Sequence, residues 1–267
     1  MRNITIAPKS AFRISVEAEN ISPDKLALLA LSQIKSLAVW QGNRQHILSD
    51  LFAIEGDDVP VMAEELTIRL VGDFSQVKRI AEGMTAGQVL AEGSVGMHAG
   101  NNMKGGLLSI AGNADDWLAR EMRGGKVVVM GNAGNYLGSG YRGEKCGMRG
   151  GEIEVRGSAG AYLGEHLCGG SICIFGDAGD FPGAANQGGT IFIGGSTYLP
   201  GAEMSKGTIT VKGEAKVLPS FQKMEIVQVD GLAFQKYAGD NVDNGKGELL
   251  VGRGHLDKSG WKYEGTT

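Results

Sequence analysis

Short apolar triplets recur along the middle of the chain at nearly constant intervals. Within each triplet the first and third residues are aliphatic, whereas the middle residue varies between polar and apolar types. This alternation predicts short strands whose first and third side chains face a core. The six clear triplets are residues 108–110, 127–129, 153–155, 172–174, 191–193 and 209–211.

One glycine recurs at the end of each repeat, and we call it the marker glycine. The marker glycines are separated by 19, 19, 26, 19, 19 and 18 residues. A period near 20 is typical of a solenoid, whose units bury their apolar faces against their neighbours. The 26-residue interval contains a seven-residue insertion, the inserted loop, around residues 139–147. The marker glycines are Gly93, Gly112, Gly131, Gly157, Gly176, Gly195 and Gly213.

Other positions of the repeat also keep their residue type. A serine, asparagine or aspartate follows each of the first six marker glycines, and such residues close turns by hydrogen bonding to their own backbone. Four residues later comes an aromatic or histidine, then a methionine, leucine or asparagine, then a Gly-Gly pair. We expect equivalent residues to stack about 4.8 Å apart. The predicted ladders are His98, Trp117, Tyr136, Tyr162 and Phe181, and Met103, Met122, Met148, Leu167 and Asn186.

The pattern predicts an all-β fold, a parallel β-helix (solenoid) of about seven coils with repeats of about 19 residues. No unit has the ten or more glycine-poor residues that a helix needs, which excludes helical repeats. We expect a small α/β segment over residues 1–65, with a helix starting at Ser22-Pro23-Asp24. The β-helix covers residues 66–213, and residues 214–267 form an irregular cap that ends near Trp261 and Tyr263.

Composition excludes several classes of protein. Glycine accounts for 44 of the 267 residues, well above the usual share of about 7%, yet no collagen period is present. The net charge of −4 does not favour nucleic-acid binding. No long apolar run or secretory signal core occurs, so we expect a cytoplasmic chain without membrane insertion. Cys146, Cys168 and Cys173 are interpreted as free thiols.

Several units fit the motif G-x-x-G-x-x-x-G. This motif resembles the β-helical C-terminal domain of glutamate synthase and the C subunit of formylmethanofuran dehydrogenase. The flanking stretches EAENISPDKLA (residues 17–27), VWQGN (39–43) and GSGYRGEKCGMRGGEIEVRG (138–157) are similar to the second family over nearly the whole chain. The motif glycines are Gly93, Gly96, Gly100, Gly131, Gly134, Gly138, Gly157, Gly160, Gly164, Gly176, Gly179 and Gly183.

The resemblance implies a non-catalytic scaffold subunit of an archaeal complex. That complex reduces carbon dioxide and attaches the formyl group to methanofuran, the first step of methanogenesis from carbon dioxide. The resemblance places a tungsten or molybdenum pterin, iron–sulfur clusters and a dinuclear metal centre on other subunits, and no cofactor on this chain. The implied partners are a metal-pterin redox subunit, an amidohydrolase-like subunit and ferredoxin-like subunits. A related alternative is a scaffold in a formyltransferase/hydrolase complex.

The residues themselves indicate a surface rather than a catalytic centre. Lys104, Arg123 and Arg149, the cationic column, precede successive Gly-Gly pairs and would stack along the coils. They form a solvated edge, a docking stripe for an acidic subunit, or a site for an anionic ligand. Tyr141, Arg142 and Lys145 of the inserted loop are further interface candidates.

Catalytic and metal-binding alternatives have weaker support in the sequence. A free-standing carbohydrate-active β-helix would use Asp115, Asp116, Asp177 or Asp180. His166 and Cys168 could contribute to a metal site only if their loop folds back. No phosphate-loop motif follows a strand and opens a helix. The sequence therefore predicts no catalytic, cofactor-binding or metal-binding residue in this chain.

Overall fold

The computed structural model describes residues 1–252, for Asp243 the backbone alone, so that His255, Trp261 and Tyr263 lie outside the described residues. Helices are short: α1 (Pro23–Leu26), α2 (Leu31–Lys35) and α3 (Leu48–Leu51), with 3₁₀ turns at Ala63–Glu65 and Asn241–Asp243. The strands are β1 (Arg2–Pro8), β2 (Val16–Glu17), β3 (Ala38–Gln41), β4 (Arg44–Ile47), β5 (Phe52–Gly56), β6 (Leu66–Leu70), β7 (Val77–Lys78), β8 (Gln88–Ala91), β9 (Lys104–Ile110), β10 (Gly124–Val129), β11 (Glu152–Val155), β12 (Ser171–Ile174), β13 (Gln187–Ile193), β14 (Thr197–Tyr198), β15 (Lys206–Val211), β16 (Ala215–Lys216), β17 (Gln222–Val229), β18 (Leu232–Gly239) and β19 (Gly247–Gly252).

One sheet of thirteen strands dominates the molecule. Its order is β17-β18-β19-β15-β13-β12-β11-β10-β9-β8-β6-β1-β5. Every neighbouring pair from β1 to β19 is parallel, and antiparallel pairing occurs at the two ends of the sheet. Two smaller sheets have the orders β14-β16 and β4-β3-β2-β7. The predicted all-β class is confirmed.

Adjacent strands of the large sheet pair in the register of the repeat. Val127 lies opposite Leu108 on one side and Ile153 on the other. A second line of parallel bridges joins one residue per repeat, two positions after Gly72 and after each marker glycine from Gly93 to Gly176. Two parallel ladders thus run along the repeats, and the bridged residues are Phe74, Val95, Ala114, Ala133, Ala159 and Ala178.

The first and third residues of each strand triplet fill the core, as predicted. Leu108, Ile110, Val127 and Val129 are all fully buried, and their middle neighbours are not. The predicted methionine ladder is buried throughout. Its last member, Asn186, accepts hydrogen bonds from the two amides of the following Gly-Gly pair, at 3.0 and 3.1 Å.

The polar residue after each marker glycine bonds to the next repeat, so the prediction that it bonds to its own backbone is wrong. Its side-chain oxygen accepts from the amide of the equivalent residue one repeat later. This arrangement satisfies one amide per repeat and ties each repeat to the next. The six bonds are Asn113 to Ser94 (3.0 Å), Asn132 to Asn113 (2.8 Å), Ser158 to Asn132 (2.8 Å), Asp177 to Ser158 (3.1 Å), Ser196 to Asp177 (2.7 Å) and Glu214 to Ser196 (3.0 Å).

The N-terminal segment joins the large sheet through β1, which pairs with β6 in parallel. The predicted helix starts after Ser22 as expected, but α1 is one turn long and α2 follows as a separate turn. The buried Arg2 guanidinium donates to the carbonyls of Ala27 and Leu29, at 3.0 and 2.9 Å. Arg2 thus joins β1 to the residues that follow α1.

The C-terminal segment is more regular than the predicted irregular cap. β19 adds to the large sheet beside β15, and the β17–β18 hairpin pairs with β19 at the end of the sheet. The sequence did not predict β19, because its neighbouring turns are rich in glycine and lysine. Of the large side chains of β19, those of Leu249 and Val251 are buried. Within the described residues no helix is long and apolar enough to span a membrane.

Candidate docking surface

The inserted loop leaves the repeats through a narrow neck. The amide of Gly140 donates to the carbonyl of Glu165 at 3.2 Å, and that of Gly147 donates to His166 at 2.8 Å. A Cβ on Gly147 would lie 2.6 Å from the Gly140 nitrogen. The two sides of the neck can therefore pack this closely because residue 147 has no side chain. Residues 141–145 are all exposed. The insertion is therefore a compact surface loop with closed ends.

Cys146 and Cys168 form a disulfide, so the prediction of free thiols is wrong for these two residues. Their Cα atoms are 5.7 Å apart although 22 residues separate them in sequence. The loop returns to the repeats at Gly147, which brings Cys146 beside the following repeat. Cys173 is free and half-buried, and burial raises the pKa of its thiol. Spacing alone missed the pair because a 19-residue repeat aligns Cys168 with Arg149.

Tyr141 folds back on the preceding repeat. Its ring centroid lies 5.5 Å from that of Trp117, and the Arg120 guanidinium lies 4.8 Å from the Tyr141 centroid. The Tyr141 amide donates to the Glu121 carboxylate at 3.1 Å. The loop therefore contacts the repeat before it through Tyr141 and the repeat after it through Cys146.

A pocket of about 280 Å³ lies between the inserted loop and the repeats. Burial raises the pKa of the Glu165 carboxyl, and neighbouring His166 partly opposes that shift. His166 Nδ1 is buried and has no hydrogen-bond partner among the described residues. The walls of this pocket thus combine loop glycines, aromatic rings and side chains of both charges. The lining residues are Trp117, Tyr136, Gly140, Tyr141, Arg142, Gly143, Glu165 and His166.

The cationic column occupies one position on three successive repeats. The amides of Lys104, Arg123 and Arg149 donate to Met84, Met103 and Met122, the buried residues one repeat earlier, at 2.8, 2.7 and 2.7 Å. All three side chains are exposed, and no acidic side chain of the described residues lies within ion-pair distance of them. Among the described residues the column is thus a strip of positive charge without ion-pair partners.

The column and the inserted loop belong to one surface. Cys168 and Gln187 continue the column on the next two repeats, with amides that donate to Met148 and Leu167 at 2.9 and 2.7 Å. Cys168 holds the loop through the disulfide, and the Gln187 side-chain amide donates to the Lys145 carbonyl at 2.6 Å. The sequence placed the insertion in the same region as the column, but the repeat pattern did not predict the two contacts that join them, through Cys168 and Gln187.

The predicted aromatic stack is confirmed beside this surface. Ring centroids of His98, Trp117, Tyr136, Tyr162 and Phe181 follow one another at 6.3, 4.3, 5.3 and 5.4 Å, with planes within 22° of parallel. All five residues have φ between +56° and +66°, which is unusual for residues other than glycine. Burial lowers the pKa of His98, and the positive charge of Arg120 lowers it further.

Three of the four acidic candidates use a carboxylate oxygen to accept a hydrogen bond from a backbone amide. Asp116 Oδ1 accepts from the Asn135 amide at 2.7 Å, and Asp115 Oδ1 accepts from the Asp116 amide at 2.8 Å. Asp177 belongs to the polar ladder, and Asp180 lies in a parallel bridge to Tyr198. Among the described residues, no group of three His, Cys, Asp or Glu side chains could hold a metal ion.

Comparison with curated proteins confirms the resemblance to the C subunits of formylmethanofuran dehydrogenases. The chain is 42% identical over 98 residues to the C subunit of the molybdenum-containing formylmethanofuran dehydrogenase 1 of Methanosarcina barkeri, covering 37% of this chain and 32% of that protein. It is 39% identical over 100 residues to the C subunit of the tungsten-containing formylmethanofuran dehydrogenase 2 of Methanothermobacter marburgensis, covering 38% and 37%. The chain thus spans about a third of the length of these relatives.

A solved structure resembles this chain over nearly its full length. It is a chain of the formyltransferase/hydrolase complex of Methylorubrum extorquens, crystallised with methylofuran. The TM-score is 0.86 at 25% sequence identity, and the match covers 93% of this chain and 99% of that chain. No protein-family model matches the chain.

Proposed function

We propose that this chain is a non-catalytic structural subunit of a cytoplasmic formylmethanofuran dehydrogenase complex. In such a complex carbon dioxide is reduced and the formyl group is attached to methanofuran. The observation that carries the proposal is the similarity to two C subunits of that enzyme, at 42% and 39% identity. The metal-pterin, iron–sulfur clusters and dinuclear metal centre would belong to other subunits.

The chain would act as a rigid spacer between the catalytic subunits. Parallel pairing in the register of the repeat, together with the second line of bridges, supports a β-helix of about seven coils over residues 66–213. Residues 1–65 would cap one end, and the described part of residues 214–267 would cap the other. Ladders of backbone and side-chain hydrogen bonds resist bending, so a β-helix can hold a redox subunit and an amidohydrolase-like subunit at a fixed separation.

The cationic column and the inserted loop would dock an acidic surface of one partner subunit. Three exposed cations without acidic neighbours among the described residues lie beside a loop that presents Tyr141, Arg142 and Lys145. Tyrosine and arginine are enriched at protein interfaces, and a charged strip of one sign favours association with the opposite sign. Whether the redox, amidohydrolase-like or ferredoxin-like subunit docks there is an outcome of the test.

The test is purification of the complex under anaerobic conditions through a tag on this chain. We expect a large assembly that contains molybdenum or tungsten with iron, and we expect Arg123→Glu with Arg149→Glu to release at least one subunit. Lys212→Glu, an exposed charge change outside the column, is the matched control and should leave the assembly intact. A metal-free monomer, or catalytic subunits that assemble and couple normally without this chain, would disprove the proposal.

A second candidate is the same scaffold role in a formyltransferase/hydrolase complex. The nearly full-length likeness to a chain of the Methylorubrum extorquens complex favours it. The same purification separates the two candidates. A formyltransferase recovered with this chain, without molybdenum or tungsten, would identify the hydrolase-type complex.

A further inference from the structure

We propose that the Cys146–Cys168 disulfide is a site of reversible thiol–disulfide exchange with a dithiol reductant. Its reduction would release the inserted loop and open the pocket beside Trp117. The bond joins an exposed loop to the edge of the repeats, not two elements of the core. This inference rests on the geometry of the loop and is independent of the complex to which the chain belongs.

Both cysteines are half-buried residues with a cationic neighbour in the sequence or in the column. Neither cysteine belongs to the buried core, and residues 141–145, which lead to Cys146, are all exposed. Lys145 precedes Cys146, and Arg149 holds the column position one repeat before Cys168. Nearby cations stabilise thiolates, which are the species that attack and leave in disulfide exchange.

The exchange consumes one dithiol and needs no other reactant. A thiolate of the reductant attacks one sulfur, the protein S–S bond breaks, and the other sulfur leaves as a thiolate. The second thiol of the reductant then attacks the mixed disulfide and is released in a cyclic disulfide. Two electrons and two protons pass to the protein, which holds Cys146 and Cys168 as thiols. An oxidised dithiol reverses each step.

The disulfide is the chief restraint on the outer part of the loop. Gly140 and Gly147 are held at the neck by one backbone hydrogen bond each, outside residues 141–146. Beyond the neck, the loop has the Gln187 bond to the Lys145 carbonyl and the Tyr141 amide bond to Glu121. The Tyr141 ring also contacts Trp117 and Arg120, although Tyr141 remains 48% exposed. Because Tyr141, Arg142 and Gly143 line the pocket, loop release removes one of its walls.

The first measurement is the oxidation state of each cysteine in the purified chain. Protein trapped by alkylation in denaturant without reductant should carry one label, on Cys173, and Cys146 and Cys168 should appear as a linked peptide. Treatment of the native chain with a millimolar dithiol should add two labels. Three labels before reduction would overturn the proposal, and so would a disulfide that the dithiol cannot open in the folded protein.

The second measurement is trypsin cleavage after Arg142 and Lys145, both inside the loop. We expect reduction of the folded chain to speed cleavage at these sites at least tenfold, and Cys146→Ser to cleave at the fast rate with or without reductant. Cys173→Ser is the matched control and should behave like the unaltered chain. Unchanged cleavage after reduction would overturn the proposal, as would unfolding of the whole chain, detected by circular dichroism.

Discussion

At the scale of single residues, a glycine in one repeat makes room for a polar side chain of the repeat before it. A Cβ on Gly157 would lie 2.3 Å from Asn132 Oδ1, and one on Gly195 would lie 2.1 Å from Asp177 Oδ1. The sequence shows both residue types, but each glycine looks like a local turn signal. Their true relation spans two repeats, which explains why the turn interpretation failed.

Substitution of Gly160 should destabilise the fold strongly. Its Cβ would lie 2.4 Å from Asn135 Oδ1 and 2.8 Å from the Asn135 amide nitrogen, so Gly160→Val forces two repeats apart. We expect a loss of about 3 kcal/mol in the free energy of unfolding, measured by chemical denaturation. Gly231→Asn, at a turn glycine with φ of +78° and nothing within 4 Å, should cost less than about 1 kcal/mol. Equal losses would contradict this account.

His98 should make stability depend on pH. Because burial lowers its pKa below the ordinary value of 6.5, the folded chain resists a proton that the unfolded chain accepts. Its stabilising contribution is therefore complete above the unfolded pKa and declines as pH falls from about 6.5 toward the lowered folded pKa.

The measurement is the melting temperature of the unaltered chain and of His98→Phe between pH 7.5 and 5. Phenylalanine keeps the aromatic stack, since Phe181 holds the equivalent position at φ of +56°. The unaltered chain should lose more of its melting temperature on acidification than the variant. Parallel pH profiles would show that His98 does not titrate as described.

At the scale of elements, the turn that contains the aromatic stack in each repeat has left-handed backbone at residues other than glycine. Besides the five ring positions, Ala119 takes φ of +54° where the other repeats have glycine, and His166 takes +56°. The aromatic period predicted the stack, but an aromatic residue gives no sign of positive φ. Stacking with the neighbouring rings stabilises a conformation that the residues would otherwise avoid.

Truncation of Trp117 should reverse the usual order of glycine and alanine. Both variants lose the stack on Tyr136, whose centroid lies 4.3 Å away, but alanine keeps the cost of φ at +63° and glycine does not. We expect Trp117→Gly to exceed Trp117→Ala by about 1 kcal/mol in unfolding free energy. At Val128, in regular β10, the alanine variant should be the more stable. The same order at both sites would refute the argument.

At the scale of the whole molecule, local periodicity predicted the strands, their core-facing residues and the ladders. It could not predict contacts between segments that break the period. Arg2 bonds to carbonyls some 25 residues away, β19 returns to the large sheet from an irregular stretch, and Cys146 meets Cys168 across the inserted loop. Each of these depends on where a non-repeating segment comes back, and the repeat carries no information about that.

Protection of backbone amides should fall from the central strands to the hairpin end of the large sheet. β11 has a parallel partner on both sides and buries Ile153 and Val155. Among the described strands β17 pairs on one side, and none of its side chains is buried. In an array of repeats the last unit loses the stabilisation of one neighbour, so it opens locally without global unfolding. We expect β17 amides of the isolated chain to exchange at least about 100-fold faster than those of β11, measured by hydrogen-exchange mass spectrometry. Equal protection of β17 and β11 in the isolated chain would mean that the sheet unfolds as one unit, and the hairpin would then be as firmly held as the central repeats.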